Sequence, residues 1–166
     1  MASKSFHNTH SNTYERMGSN ATTNIARAFL SDLTLLSPIT ESSYILDNAC
    51  GPGIVTQLIK SQYPYAHIKG CDLAPGVIDV LKSKIAENKW ENVETDVLDV
   101  RDLKTLEEGM FTHVITNFGF SPTPDDPSGP GRAAAEIYRV LKPGGVAVVT
   151  TWSGMAPSFL FLSRWV

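Results

Sequence analysis

The sequence has little of what marks several large functional classes. Its 166 residues contain only two cysteines, Cys50 and Cys71, which do not lie at a metal-ligand spacing. That argues against a metal site or a disulfide-stapled scaffold, and both are expected to remain thiols. No run approaches the roughly 18 apolar residues of a membrane span. The polar opening MASKSFHNTHSNTYERMGSN lacks the apolar stretch of a signal peptide. The expectation is a cytoplasmic chain with no membrane partner. Basic residues are not in excess: 14 Lys and Arg stand against 17 Asp and Glu, a net charge of −3 with no cationic stripe. Nucleic acid is therefore not expected as a partner, because phosphate binding needs clustered cations. No G-x-x-x-x-G-K-[ST] appears, which removes a P-loop.

What is present suits one domain with one real core. Residues 1–20, rich in Ser, Asn, Thr and His, read as a flexible arm or lid. Residues 21–166 read as the folded domain. Ala21 to Leu36 carries Ile25, Ala28, Phe29, Leu33 and Leu36 at helical spacing, and Pro38 ends it. Strands and helices then alternate. Strands are expected at Tyr44–Leu46, His67–Cys71, Asn92–Leu98, Phe111–Asn117 and Val146–Trp152, with helices at Ile54–Lys60, Val77–Asn88 and Ala133–Leu141. The last helix should bury Ala134, Ile137, Val140 and Leu141, and Lys142-Pro143-Gly144-Gly145 is a sharp stop. Such alternation predicts a Rossmann-like, doubly wound parallel sheet in three α/β/α layers. Ligands of such sheets bind at the carboxyl ends of the strands.

The residues just after the strands carry the chemistry. In ILDNACGPG, Gly51 and Gly53 allow a tight turn and a close backbone approach to a ligand, and the next helix N-terminus offers free amides. A plain Gly-Pro-Gly turn is the bland alternative. Asp72 ends the second strand, 19 residues after Gly53, where a carboxylate accepts from both hydroxyls of a ribose. Its bland alternative is a helix cap. Asp99, after the third strand, is placed to accept from an adenine amino group, although Asp96 and Asp102 make a solvated acid as good a reading. The third glycine of the dinucleotide fingerprint G-x-G-x-x-G is Thr56 here. Asp47, beside the turn, would repel a pyrophosphate and suit a cation. Together these disfavour a nicotinamide oxidoreductase and favour S-adenosyl-L-methionine.

The ordered runs ILDNACGPG, GCDLAPG, DVLDVRDL, FTHVITNFGF and EIYRVLKPGGVAVVTTW resemble those of class I S-adenosylmethionine-dependent methyltransferases, over about residues 12 to 152. The small-molecule branch is the most similar, both the ubiquinone/menaquinone-biosynthesis type and the fungal secondary-metabolite type. The resemblance implies that Asp47 and the Ala49–Gly53 loop, with Cys50 and Gly51, hold the methionine end. Asp72 and Leu73 flank the ribose. Asp99 and the Val100 amide meet the adenine, and Asn117 lies by the transferring methyl. The family's N-terminal lid makes Tyr14 a candidate lid residue, with an exposed tyrosine in the arm as good a reading; Phe118 and Phe120 are candidates to line the substrate, with core packing the favoured alternative. Ala49 replaces the usual first glycine, and Asn117-Phe118-Gly119-Phe120 lacks the prolines of amino-group methyltransferases.

The expected function is methyl transfer to a small molecule, with the O-, N- or C-nucleophile open and no metal. No catalytic residue is assigned. His113, inside a strand, reads as structural, and His7 and His10 as solvated. The family usually continues with a helix and an antiparallel strand pair. Here SGMAPSFLFLSRWV suggests one short helix, so the last two of seven strands are expected to be missing. The fifth strand would then be an exposed edge unless covered, and Phe159 to Leu162 with Trp165 form a cluster suited either to cover it or to bind another subunit in a homo- or hetero-oligomer. That shortness supports the alternative of a cofactor-binding but non-catalytic partner subunit or truncated pseudoenzyme.

Overall fold

The structure is a computed structural model that describes residues 21–119, 125–153 and 156–164. A helix, α1, spans residues 21–36. It is followed by β1 (Tyr44–Asn48), α2 (Ile54–Gln62), β2 (His67–Asp72), α3 (Pro75–Asn88) and β3 (Val93–Val97). β4 (Phe111–Asn117), α4 (Gly129–Val140), β5 (Leu141–Ser153) and β6 (Ala156–Ser163) complete the order.

The strands form one sheet in the order β3-β2-β1-β4-β5-β6. Every pairing is parallel except β5 with β6. The chain steps outward from β1 to β3, then returns to the other side of β1 with β4. The switch point therefore lies between β1 and β4, and ligands of open α/β sheets sit at such a crevice.

Alternate residues of each buried strand feed two cores, as the period of two requires. Ile45, Ile68, Ile115 and Val148 pack under α1 and α2 with Phe29, Leu33, Val55 and Ile59. Leu46, Val114, Ala147 and Val149 pack under α4 with Ile137, Val140, Leu103 and Phe111. α3 closes over Cys50 with Ile78 and Leu81. The three-layer Rossmann-like reading is borne out. Two helix faces are rotated from expectation. α1 buries Ala26, Phe29, Leu30 and Leu33 and exposes Ala28 and Leu36, and α4 buries Ala133 and exposes Ala134. At the turn after α4, β4 and β5 pair at Phe111↔Leu141 and again at His113↔Val146, so Lys142-Pro143-Gly144-Gly145 is accommodated as a bulge between them.

The C-terminal side needs a correction. The segment expected to be a short helix is β6, antiparallel to β5 from Ser153↔Ala156 to Val146↔Ser163. A continuous apolar run carries no period that separates strand from helix, and here the open edge of β5 decides the outcome. The sheet thus has six strands rather than five, and β6 is the edge in place of β5. Phe161 packs on the core under α1, while Leu160 and Leu162 remain exposed. After β6, Arg164 donates to the carbonyls of Tyr138, Arg139 and Leu141 and caps the end of α4. No helix among the described residues is long and apolar enough to cross a membrane.

Candidate cofactor site

Three neighbouring strands bring three acids to one end of the sheet. Asp47 is the fourth residue of β1, Asp72 ends β2, and Asp99 follows β3 by two residues. The Leu98 N–H donates to the Asp72 carbonyl at 3.1 Å, which holds the turn after β3 against the end of β2.

Asp47 is fully buried. Its Oδ2 accepts from the Thr56 N–H at 3.0 Å and the Thr56 hydroxyl at 2.6 Å. Thr56 lies in the first turn of α2, so the acid also meets the positive end of the helix dipole. In the linear pattern Thr56 is only a missing glycine; in the fold its side chain anchors Asp47. The other oxygen, Oδ1, is buried and meets no donor among the described residues. Burial pushes the Asp47 pKa up to about 6, against the lowering effect of Thr56, and the field of Asp72 adds to the rise.

The turn itself is held in left-handed backbone. Ala49, Gly51 and Gly53 have φ of 56°, 53° and 85°. An alanine at positive φ is strained, so the family's usual glycine at position 49 has a physical reason that Ala49 overrides. The two glycines do different work. A Cβ on Gly53 would lie 2.5 Å from Leu81 Cδ1, so this glycine lets α3 pack against the turn. A Cβ on Gly51 would meet nothing within 4 Å, so this glycine faces open space. Its N–H donates to Asp72 Oδ2 at 2.9 Å, and the Ala74 N–H donates to Asp72 Oδ1 at 2.9 Å. Asp72 therefore joins the turn to α3 and, with two lone pairs per oxygen, keeps acceptor capacity. Leu73 beside it is 38% exposed.

Cys50 and Cys71 are buried, and burial raises both thiols, Cys71 to about 12, so neither is a nucleophile at neutral pH. Asp99 is held by Arg101, and those hydrogen bonds keep its carboxyl below the usual range. Val100 stands in the same turn, half-buried. Asn117 closes β4. Its Oδ1 accepts from the Thr150 hydroxyl at 2.8 Å and its Nδ2 donates to the Thr22 carbonyl at 3.4 Å, so it ties β4 to β5 and α1. Phe118 follows at φ 59°, its N–H donating to Thr150 Oγ1 at 2.8 Å. Gly119 then comes so close to the first turn that a Cβ there would lie 2.3 Å from Ala49 Cβ. The loops after β1 and β4 are thus in contact across the switch point. Tyr14 and Phe120 lie outside the described residues.

His113 is structural. Its Nε2 lies 3.1 Å from the Ser37 carbonyl and its Nδ1 2.8 Å from the Thr112 hydroxyl, and burial lowers its pKa. No group of three or more His, Cys, Asp or Glu among the described residues is arranged to hold a metal.

A parallel sheet with a glycine turn after its first strand and an acid after its second defines a nucleoside-cofactor-binding α/β protein. The comparisons narrow that class. Residues 45–145 match the model of the methyltransferase domain family, and the chain belongs to that family. It is 31% identical over 153 residues to the methyltransferase ucsB of Acremonium sp., covering 85% of this chain and 52% of that protein. It is 30% identical over 139 residues to the methyltransferase tpcH of Aspergillus fumigatus, covering 75% and 48%. A solved structure from Methanococcus maripaludis, assigned as an S-adenosyl-L-methionine-dependent methyltransferase, superposes with a TM-score of 0.66 at 17% identity, covering 90% of this chain and 66% of that one. The last of these shows the fold. The chain spans about half the length of the two fungal relatives.

Proposed function

We propose that this chain binds S-adenosyl-L-methionine at the carboxyl ends of β1, β2 and β3 and takes part in methyl transfer to a small molecule. The observation that carries this is the Asp47 carboxylate. A wholly buried acid with one oxygen bound to Thr56 and one without a donor among the described residues is expensive unless a donor arrives. The ammonium of an amino-acid moiety is such a donor, whereas a pyrophosphate would be repelled. The open face of Gly51 gives the backbone access that a methionine chain needs. Asp72 then takes the ribose hydroxyls, with Leu73 against the nucleoside. Asp99 and the Val100 amide take the adenine edge.

When bound, the cofactor supplies a methyl group already activated by its sulfonium. The protein is left to align the acceptor and exclude water. Asn117, Phe118 and Gly119 border that end of the site. Asn117 holds the rim in place through Thr150 and Thr22 rather than offering a base. The enzyme reading is favoured over the non-catalytic partner, because both fungal relatives are methyltransferases. The demethylmenaquinone methyltransferase of Lactococcus lactis, 34% identical over 120 residues, supports a small organic acceptor as the substrate class, and residues 1–20 are proposed as the arm preceding the domain.

Calorimetric titration with S-adenosyl-L-methionine and, separately, with NAD tests the reading. Heat with the first and none with the second supports it. Binding of NAD alone would overturn it.

A further inference from the structure

We propose that Arg101 is a positioning residue for cofactor recognition, fixing the Asp99 carboxylate for the amino group of adenine and tying it through Asp126 to the start of α4. The inference rests on the cofactor reading above. Arg101 approaches Asp99 with three donors. Its backbone N–H and its Nε both donate to Asp99 Oδ1, at 2.9 and 2.8 Å, and its Nη2 donates to Oδ2. Each carboxylate oxygen has two acceptor directions. Oδ1 is therefore filled, and Oδ2 keeps one.

The plane of the acid is fixed and a single acceptor direction is left. An adenine, which presents N–H at its six position, satisfies that direction. A hypoxanthine, which presents a carbonyl oxygen there, meets an acceptor with an acceptor. A planar, bidentate grip of this kind belongs to a guanidinium and not to an ammonium.

The same guanidinium reaches the other way. Its Nη1 donates to Asp126 Oδ2 at 2.6 Å. Arg132, in the first turns of α4, donates to that oxygen at 2.6 Å, and the Ser128 hydroxyl donates to Asp126 Oδ1 at 3.2 Å. Gly129, where α4 begins, leaves the room this requires. A Cβ there would lie 2.8 Å from Asp126 Oδ2 and 3.3 Å from Arg101 Cδ. The side chains of Asp99, Arg101 and Asp126 are 24%, 33% and 17% exposed, so the network lies at the surface, where a ligand can reach it. Arg101 thus links the adenine-side acid to the helix that packs on the opposite face of the sheet from α2.

Dissociation constants for S-adenosylhomocysteine and its hypoxanthine analogue S-inosylhomocysteine, measured by calorimetry on the wild type, Arg101→Met, Arg101→Lys and Asp126→Asn, test this. The wild type is expected to prefer the adenine form. Arg101→Met is expected to weaken that form about tenfold, the size of one charge-assisted hydrogen bond, while the hypoxanthine form changes little and the preference collapses. Arg101→Lys should restore part of the preference. Asp126→Asn should lower it by about threefold, a fraction of that bond. An unchanged ratio in Arg101→Met and Asp126→Asn would overturn the proposal. If Arg101→Met does not fold, an unchanged ratio in Arg101→Lys and Asp126→Asn overturns it instead. A wild type that binds neither ligand removes the cofactor reading itself, and the proposal with it.

Discussion

Helix α2 has a buried charge at each end, and the two are treated differently. Near its C-terminus, Lys60 is 4% exposed and its ammonium donates to the carbonyls of Pro64, Ala66 and Glu91. All three of its N–H bonds have partners, so this charge is saturated by the protein. At the other end Asp47, fully buried, has one oxygen bound to Thr56 and one without a donor among the described residues. The first pattern is what a fold does with a charge it needs for packing. The second is what it does with a charge reserved for something else. The neighbouring Asn48 repeats the second pattern, with a buried Oδ1 that has no partner among the described residues. Unused polar capacity is thus concentrated at the carboxyl end of β1 and not at the far end of the same helix.

The largest expected effect is at the saturated end. Lys60→Met strands three carbonyls and should lower stability by about 3 kcal/mol in urea unfolding, with cofactor affinity of the folded fraction unchanged. Gly53→Ala sets a methyl against the fully buried Leu81 and strains a left-handed backbone, for a loss of about 2–3 kcal/mol in the same measurement. If Lys60→Met lost cofactor affinity at full stability, the separation of the two ends would be broken.

Asp47→Asn should do the reverse. The folded pKa of about 6 lies above the ordinary value of 3.8, so between these values the folded state keeps a proton that the unfolded state has released. Stability from this group is present below about pH 4, falls as pH rises to about 6, and is flat beyond, a total of about 3 kcal/mol. Unfolding curves from pH 4 to 7 should show that fall in the wild type and not in Asp47→Asn. Gly51→Ala should lower stability by about 1 kcal/mol through backbone strain alone, yet weaken the cofactor at least tenfold by filling the open face of the turn. Ala49→Gly is the smallest, within about 0.5 kcal/mol of zero, because relief of the strained alanine offsets the lost rigidity of the unfolded chain.

The same contrast explains what was legible in the sequence. Asp47, Asp72 and Asn117 were visible because each interrupts or ends an apolar run at the carboxyl end of a strand, where a parallel sheet places its ligands. Gly51 and Gly53 were visible as a turn, but only packing against Leu81 separates their roles. Arg101 and Asp126 were hidden, because charges 25 residues apart meet only once α4 has docked. Thr56 was read as an absence, since nothing in a linear pattern shows that a helix N-terminus will close onto the acid nine residues before it. β6 is not legible in the sequence because Phe159-Leu160-Phe161-Leu162 has no period, and an edge strand in need of a partner is a property of the sheet.

The most direct measurement is the affinity for S-adenosyl-L-methionine as a function of pH. On the proposed reading, ionised Asp47 is the form that receives the ammonium. Calorimetry should therefore show affinity falling about tenfold per unit below pH 6 in the wild type, and a weak, pH-independent affinity in Asp47→Asn. Binding that is equally tight from pH 5 to 8, or unaffected by Asp47→Asn, would contradict the assignment of that buried carboxylate to the cofactor.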